Sequence, residues 1–512
     1  MNIASHSLVI AGWIVILAYA GVILFFVVRG ALKTKNMQDY AIGSMAFSPV
    51  AVGFALAASM TSAATFIINP GFAATYGFSC ILSYVIVLPT AAIISLIVLT
   101  KGFRKHGESV KALTMAQWIG TRYKSKGLTI FFAFLSLLLI TFIVLICVGL
   151  TKILSKTLNV DELYILTGIV IFIFGYMMFG GANSMVYTNT VQAVIMLVVA
   201  FILLGSGYQN FSNGVNGFIN TLTNIDPKLT QLTNQSSFLF RDFFEIIFAQ
   251  IVIGIAIVCQ PHILTKSLLL KTEKDVNKYL ITGAIVQGIF FLVVFAGLYA
   301  RIAFPDLAIN GEPLRLDGIF SAYVVSRFPV YVGLIVILGL ISAGISTLEG
   351  LIQSISTTIT SDLITPLFGR YFPEDKDMRE KFSVRLNKIV ITVLAVVSIL
   401  ISYNQLVHPK LSVAILAQNG VYAYFAAAFI PILFGMFLNN VPKIVPVVAS
   451  VTAVIVHMIF YYGKVAVPFT RATGENPGVA GAVAITISVI VGMLIYLFYR
   501  GKKSREVLLK QD

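Results

Sequence analysis

A helix needs about 20 consecutive apolar residues to cross a bilayer, and this chain supplies runs of that length almost end to end. They fall at roughly 7–29, 46–76, 78–101, 127–154, 160–180, 185–207, 242–266, 278–302, 330–358, 386–404, 411–437, 442–462 and 478–500. Of its 512 residues, 58% are hydrophobic and 11% charged, a balance no soluble domain has. The fold class this dictates is an all-α polytopic membrane protein of about 13 transmembrane helices, built as one membrane domain.

The net charge of +15 does not point to nucleic acid, because the Lys and Arg fall between the spans. An odd number of spans puts the termini on opposite sides. Most of the 36 Lys and Arg then gather on one side, which the positive-inside rule makes the cytoplasm. The expectation is a cell-membrane protein with its N-terminus outside and its C-terminus inside. The first run, Ser7 to Val28, lacks a basic n-region and a small-residue cleavage site, so it reads as a retained helix. Cys80, Cys147 and Cys259 sit in apolar surroundings at unrelated spacings, suggesting neither disulfides nor a metal site. No G-x-x-x-x-G-K-[ST] loop is present, which argues against pumping by ATP. No His, Cys and carboxylate cluster or Ser/His/Asp set suggests an enzyme. The segments near 208–241 and 303–329 are long enough for short helices on the outside, and the tail 501–512 is short and basic.

Polar residues inside the runs carry the functional argument. The ninth run holds Ser342, Ser346, Thr347 and Glu349 in its middle. Ala343, Ser346 and Thr347, spaced i, i+3 and i+4, share one helical face. Two hydroxyls there suit a small hard cation, which prefers oxygen ligands. They equally suit bonding to the preceding turn or to another helix. The second run contains Ala57 to Phe66 (AASMTSAATF) and then Asn69-Pro70-Gly71, small, hydroxyl and helix-weakening residues that predict an interruption. Unwound backbone at membrane depth is tolerated only where it lines protein or a wet cavity.

Three stretches resemble the sodium:solute symporter family. Ser62 to Gly77 (SAATFIINPGFAATYG) is similar to the family's second helix. Gly180 to Gln192 (GGANSMVYTNTVQ) is similar to its G-G-x-x-A-V-x-x-T-D-x-x-Q pattern, and Ile345 to Leu363 to its hydroxyl run ending in D-L. Gln260-Pro261-His262 before Lys266 resembles the inner end of the seventh helix. Within the family the chain looks nearest to the pantothenate and monocarboxylate branch. The resemblance implies a single transporter domain with a leucine-transporter-type core of two inverted five-helix repeats, at 46–207 and 242–437 (spans 2–6 and 7–11). Around it lie a peripheral first segment, 1–45, peripheral spans 12 and 13 within 438–500, and the tail 501–512. It also implies a sodium site drawing carbonyls from Ala58, Thr61 and Ala343 and hydroxyls from Ser346 and Thr347, the same face that spacing singles out.

Two departures from the family matter. Asn189 stands where some members place an Asp for a second sodium, and Ala343 where they supply a further hydroxyl, so one sodium per cycle is expected. Met60 replaces an aspartate of the proline branch, which weighs against proline. Glu349 is the one carboxylate expected deep in a span, where a charge is costly and functional by default. It either adds negative charge near the ion path, titrates and couples protons, or holds neighbouring helices together. His262, at the mouth, and His457, on span 12, read as structural. Polar residues expected to face a central cavity are Ser62, Thr65, Gln250, Gln418 and Asn419, each of which alternatively bridges helices. With no deep Arg or Lys opposite them, a carboxylate would rely on a helix N-terminus, backbone N–H groups and the bound ion. The function expected is sodium-coupled import of a small organic solute, a carboxylate, by alternating access. Proton coupling through Glu349 and a non-transporting sensor are the rivals, and membrane lipid is the only surrounding partner implied.

Overall fold

The computed structural model describes residues 6–43, 47–110, 112–270, 272–309, 311–408 and 412–508. The end of the basic tail, 509–512, and parts of the first segment (1–5 and 44–46) lie outside the described residues. Among the described residues the chain is helical nearly throughout, apart from an antiparallel pair of two-residue strands, Ala308–Ile309 and Glu312–Pro313.

Among the described residues, ten helices are long and apolar enough to cross a membrane, and two further spans are each a pair of helices bent by 57° at a short break. The chain is therefore a multi-pass membrane protein. Spans 5 and 6 of the sequence reading run together as Glu162–Phe211, a stretch of 50 residues. At 1.5 Å per residue that is about 75 Å, more than twice the hydrocarbon core. The backbone leaves helical geometry at Gly181, with φ 55° and ψ −153°, between the two expected spans. Glycine is required there twice over. The positive φ disfavours a side chain, and a Cβ would lie within 2.9 Å of Tyr40. Tyr40 belongs to the short helix Met37–Ile42, and its hydroxyl donates to the Met177 carbonyl at 3.0 Å.

The second and seventh spans are the broken ones. Pro49–Met60 stops at Thr61 (φ −107°, ψ 89°), and helix resumes at Ala64. The Ala64 N–H donates to Ser62 Oγ at 3.1 Å, so a local side-chain bond takes over from the ladder. The sequence reading placed Asn69-Pro70-Gly71 within the interruption. Those residues instead lie in continuous helix, with Asn69–Tyr76 following a π-helical segment, Ala64–Ile68, whose wider turn accommodates Pro70. The break in span 7, between Phe244–Ile257 and Pro261–Leu269, was not anticipated. Its cause is Pro261, which lacks an N–H and forces Gln260 into extended backbone (φ −68°, ψ 138°).

The two breaks occupy matching places. Pro49–Met60 packs against Glu273–Leu292, and Gln250–Ile257 packs against Leu88–Val110. The first span of each five-span half thus lies on the second span of the other. A glycine permits each approach. A Cβ on Gly53 would sit 2.9 Å from the Tyr279 carbonyl oxygen, and one on Gly254 would sit 2.7 Å from that of Leu88. This crosswise packing is the physical form of the inverted-repeat core. Burial then ranks the helices. Val413–Phe437 is 89% buried across its most apolar window, whereas Val9–Ala31 is 17% buried and turns Ile14, Leu17 and Phe25 outward. The first span is a lipid-facing addition to a core centred on spans 2, 7, 9 and 11. The segment after span 6 carries the helix Gly214–Ile225, whose Phe218 and Leu222 are buried, so it is packed down rather than freely solvated.

Candidate functional site

The ninth helix, Val330–Thr358, passes the break in span 2 with its small hydroxyl face turned toward it. Ser346 Oγ lies 3.0 Å from the Ala58 carbonyl and 3.1 Å from that of Ala343. Thr347 Oγ1 lies 3.3 Å from the Ser59 carbonyl and 3.3 Å from that of Ala343. Three carbonyls and two hydroxyls from separate spans therefore converge, and every contributing residue is essentially buried. Only two hydroxyl protons serve this set, each shared between two acceptors, so the cluster is rich in oxygen and poor in donors. Such a set suits a small cation. Thr61 sits at the end of the same half-helix with its buried hydroxyl oxygen unpartnered. Ser59 was missed in the sequence reading. It gives its carbonyl to the cluster, while its hydroxyl accepts from Asn189 Nδ2 at 3.2 Å. Asn189 thus supplies a neutral donor, leaving its own Oδ1 unpartnered.

Glu349 lies one turn further along the ninth helix and is fully buried. Its carboxylate accepts from Tyr176 Oη at 2.6 Å, Thr188 Oγ1 at 2.6 Å and Gln192 Nε2 at 3.5 Å. These neutral donors stand on spans 5 and 6. Hydrogen bonds to a charged group are shorter and stronger than neutral ones, and here they hold the carboxylate in place. The inner half of span 7 carries Lys266, 3% exposed, whose ammonium donates to the Ala55 carbonyl at 3.1 Å. His262 is buried near by, packed on Gly350.

Beside the two breaks lies a cavity of about 100 Å³, room for roughly three waters. Ser62, Thr65, Asn69, Gln260 and Gln418 line it with the phenols of Tyr84 and Tyr422, among apolar neighbours such as Met60, Phe142 and Phe291. Gln418 Nε2 donates to Tyr84 Oη at 3.2 Å. Of the residues expected to face a cavity, Ser62, Thr65 and Gln418 line this one. Gln250 and Asn419 are not among the lining residues. Gln250 is buried with its amide beside Gly478 of span 13. Asn419 turns to span 12, its Oδ1 2.8 Å from His457 Nε2 and its Nδ2 3.4 Å from Tyr462 Oη. Gln260 was quoted as part of a motif but not as a lining residue. Its signal was the proline after it, since a Gln-Pro step inside an apolar run marks a break and hence exposed polar groups.

Two crosswise-packed broken helices beside a small, mostly apolar cavity with a few polar groups define a membrane carrier of the inverted-repeat class. The family model described as "Sodium:solute symporter family" matches residues 40–444, and the chain belongs to that family. It is 25% identical over 432 residues to the sodium/pantothenate symporter of Escherichia coli (strain K12), covering 81% of this chain and 83% of that one. To the sodium/proline symporter of Staphylococcus aureus (strain Newman) it is 23% identical over 473 residues, 90% and 88% of the two chains. These relatives are transporters, and the chain is not an enzyme. The fold is also that of a solved Na+-coupled sialic acid symporter in a substrate-bound outward-open state. The match has a TM-score of 0.76 at 18% identity and covers 94% of this chain and 97% of that one.

Proposed function

We propose that this protein imports a small organic solute, a carboxylate, by coupling its movement to one sodium ion per cycle. The observation that carries the reading is the oxygen cluster joining the Ala58–Thr61 end of the broken second span to Ala343, Ser346 and Thr347 of the ninth. A cation there adds a bridge between two helices that already pack and hydrogen-bond through hydroxyls, so its arrival favours the conformation in which they touch. Its loss to a low-sodium compartment frees span 2 to move and the solute to leave. Sodium:solute family membership and the relatives that carry pantothenate support the ion and the solute class. One ion per cycle follows from Asn189, which presents an amide N–H toward Ser59 where a carboxylate would add charge. The solute occupies the cavity lined by Ser62, Thr65 and Gln418. We place the two repeats at 46–207 and 242–437, with the N-terminus outside and the C-terminus in the cytoplasm, because that arrangement puts the basic loops inside.

The experiment is uptake into proteoliposomes under an imposed sodium gradient alone, compared with a pH gradient alone. Sodium-driven accumulation with a Hill coefficient near one is expected. A second reading, proton coupling, is favoured by the buried Glu349 carboxylate. Accumulation driven by the pH gradient and abolished in Glu349→Gln would establish that reading in place of ours.

A further inference from the structure

A second recess lies away from the central cavity. This groove of about 260 Å³ opens between the first span, Lys126–Leu158, the Glu162–Phe211 stretch and the ninth span. Its walls are aliphatic and aromatic, with no charged side chain among them. At one end stand Trp13 and Tyr164, 41% and 74% exposed, the residue types that collect at a membrane surface. A Cβ on Gly12 would lie 3.2 Å from Leu158, so the first span and Lys126–Leu158 end level there. At the other end stand Ile341, Ile345 and Tyr19, whose hydroxyl accepts from Ser342 Oγ at 3.2 Å. Between the two ends, from Tyr164 to Ile173, the groove follows about 14 Å of helix. That is nearly half of the ~30 Å hydrocarbon core, the depth of one leaflet.

We propose that this groove holds one acyl chain of a bilayer phospholipid. Three observations choose that occupant: apolar walls, the length of a single leaflet, and an aromatic mouth where a headgroup would rest. An apolar cavity of about 150 Å³ already stays dry and takes up apolar ligands, and this one is larger. Left empty, its walls would forfeit dispersion contacts on one side. Gly168 keeps it open. A Cβ there would meet nothing within 4 Å, and the backbone has no positive φ, so neither close packing nor conformation calls for glycine. Helix interiors disfavour glycine against alanine, and what its bare backbone supplies here is room for a chain. A seated chain also touches Ile341 and Ile345, which come two residues before Ala343 and Thr347 and so lie about 200° round the ninth helix from them. It therefore braces the back of the helix whose front carries the oxygen cluster.

The test titrates a phosphatidylcholine with brominated acyl chains into the purified full chain in detergent and reads tryptophan fluorescence, which bromine quenches on contact. The sequence has two tryptophans. Trp118 is fully buried against Phe103, so the signal that changes is that of Trp13 at the groove's mouth. Quenching should saturate at one phospholipid per chain and be reversed by the unbrominated lipid. Gly168→Leu, and Ala20→Leu from the facing wall, should each raise the midpoint by about 10-fold or more, because the acyl chain must then be forced past a new side chain. Gly168→Ala should keep the wild-type midpoint, and an unfolding temperature matching the wild type shows which variants are folded. Quenching that grows in proportion to lipid without saturating would overturn the proposal, leaving ordinary boundary lipid. So would saturation whose midpoint is unmoved in a folded Leu variant.

Discussion

The two broken helices are bent by the same 57°, yet they use their breaks differently. In span 2 the last carbonyls of the first half-helix are engaged by hydroxyls of the ninth span, so the break is stitched to another helix. In span 7 the break is stitched to itself, through the Gln260 side chain, whose amide oxygen is left buried without a protein partner. The first arrangement gathers carbonyl and hydroxyl oxygens of two spans, and the second is closed within its own span. One architectural device, repeated, is thus closed in two ways because the residues at the breaks differ: Thr61 and Ser62 in one, Gln260 and Pro261 in the other.

The strongest way to break this comparison is to remove the stitching in span 2. The pair Ser346→Ala and Thr347→Ala deletes both hydroxyl ligands. At about 1–1.5 kcal/mol each, the sodium needed for half-maximal uptake should rise by about 100-fold. A sodium titration of tracer uptake reads this, and an unchanged midpoint would remove the cation from that cluster. Next in size is Glu349→Gln, which replaces an acceptor of three donors by an amide that must itself donate into the same space. It should lower stability by about 2 kcal/mol, seen as earlier thermal unfolding with sodium present. Wild-type sodium-driven uptake should vary little between roughly pH 5 and 8 if that carboxylate is structural. A smaller loss, about 1–2 kcal/mol, is expected for Gly254→Ala, whose new Cβ would press on the Leu88 carbonyl and on Ala91. Gly53→Ala should behave likewise against Tyr279 and Thr282. Unequal losses at these two glycines would show the crosswise contacts to be less alike than their geometry. The smallest effect belongs to Asn419→Leu. It should leave solute affinity within about twofold, while Gln418→Leu weakens it by about 10-fold. Competition binding distinguishes the two.

That last contrast shows what sequence could and could not reveal. Gln418 and Asn419 are adjacent, and successive residues on a helix point about 100° apart, so one can face the cavity while the other faces span 12. Nothing in the run from Val413 onward says which, because apolar neighbours surround both on every side. The oxygen cluster was more legible. Ala343, Ser346 and Thr347 fall on one face by spacing alone, and that face does meet span 2. Ser59 escaped notice because its contribution is a carbonyl, which every residue has. Only the point where the helix unwinds decides which carbonyls come free, and Thr61 marks that point only in three dimensions. Pro70 misled for a related reason. A proline weakens a helix, but the π-turn before it absorbs the lost bond, so the helix continues. In span 7 the π-helical segment, Phe244–Ala249, lies a further helix, Gln250–Ile257, before Pro261, and the helix parts.

The ammonium of Lys266 is held against the Ala55 carbonyl, three residues before the first oxygen of the cluster. A charge taken out of water carries a penalty of several kcal/mol that its partners must offset. Any swing that draws the first half of span 2 away from span 7 strips that ammonium of the Ala55 carbonyl. Water has to arrive as the carbonyl departs, so hydration of this lysine and separation of the two helices are a single event. A dry interior here opposes that separation.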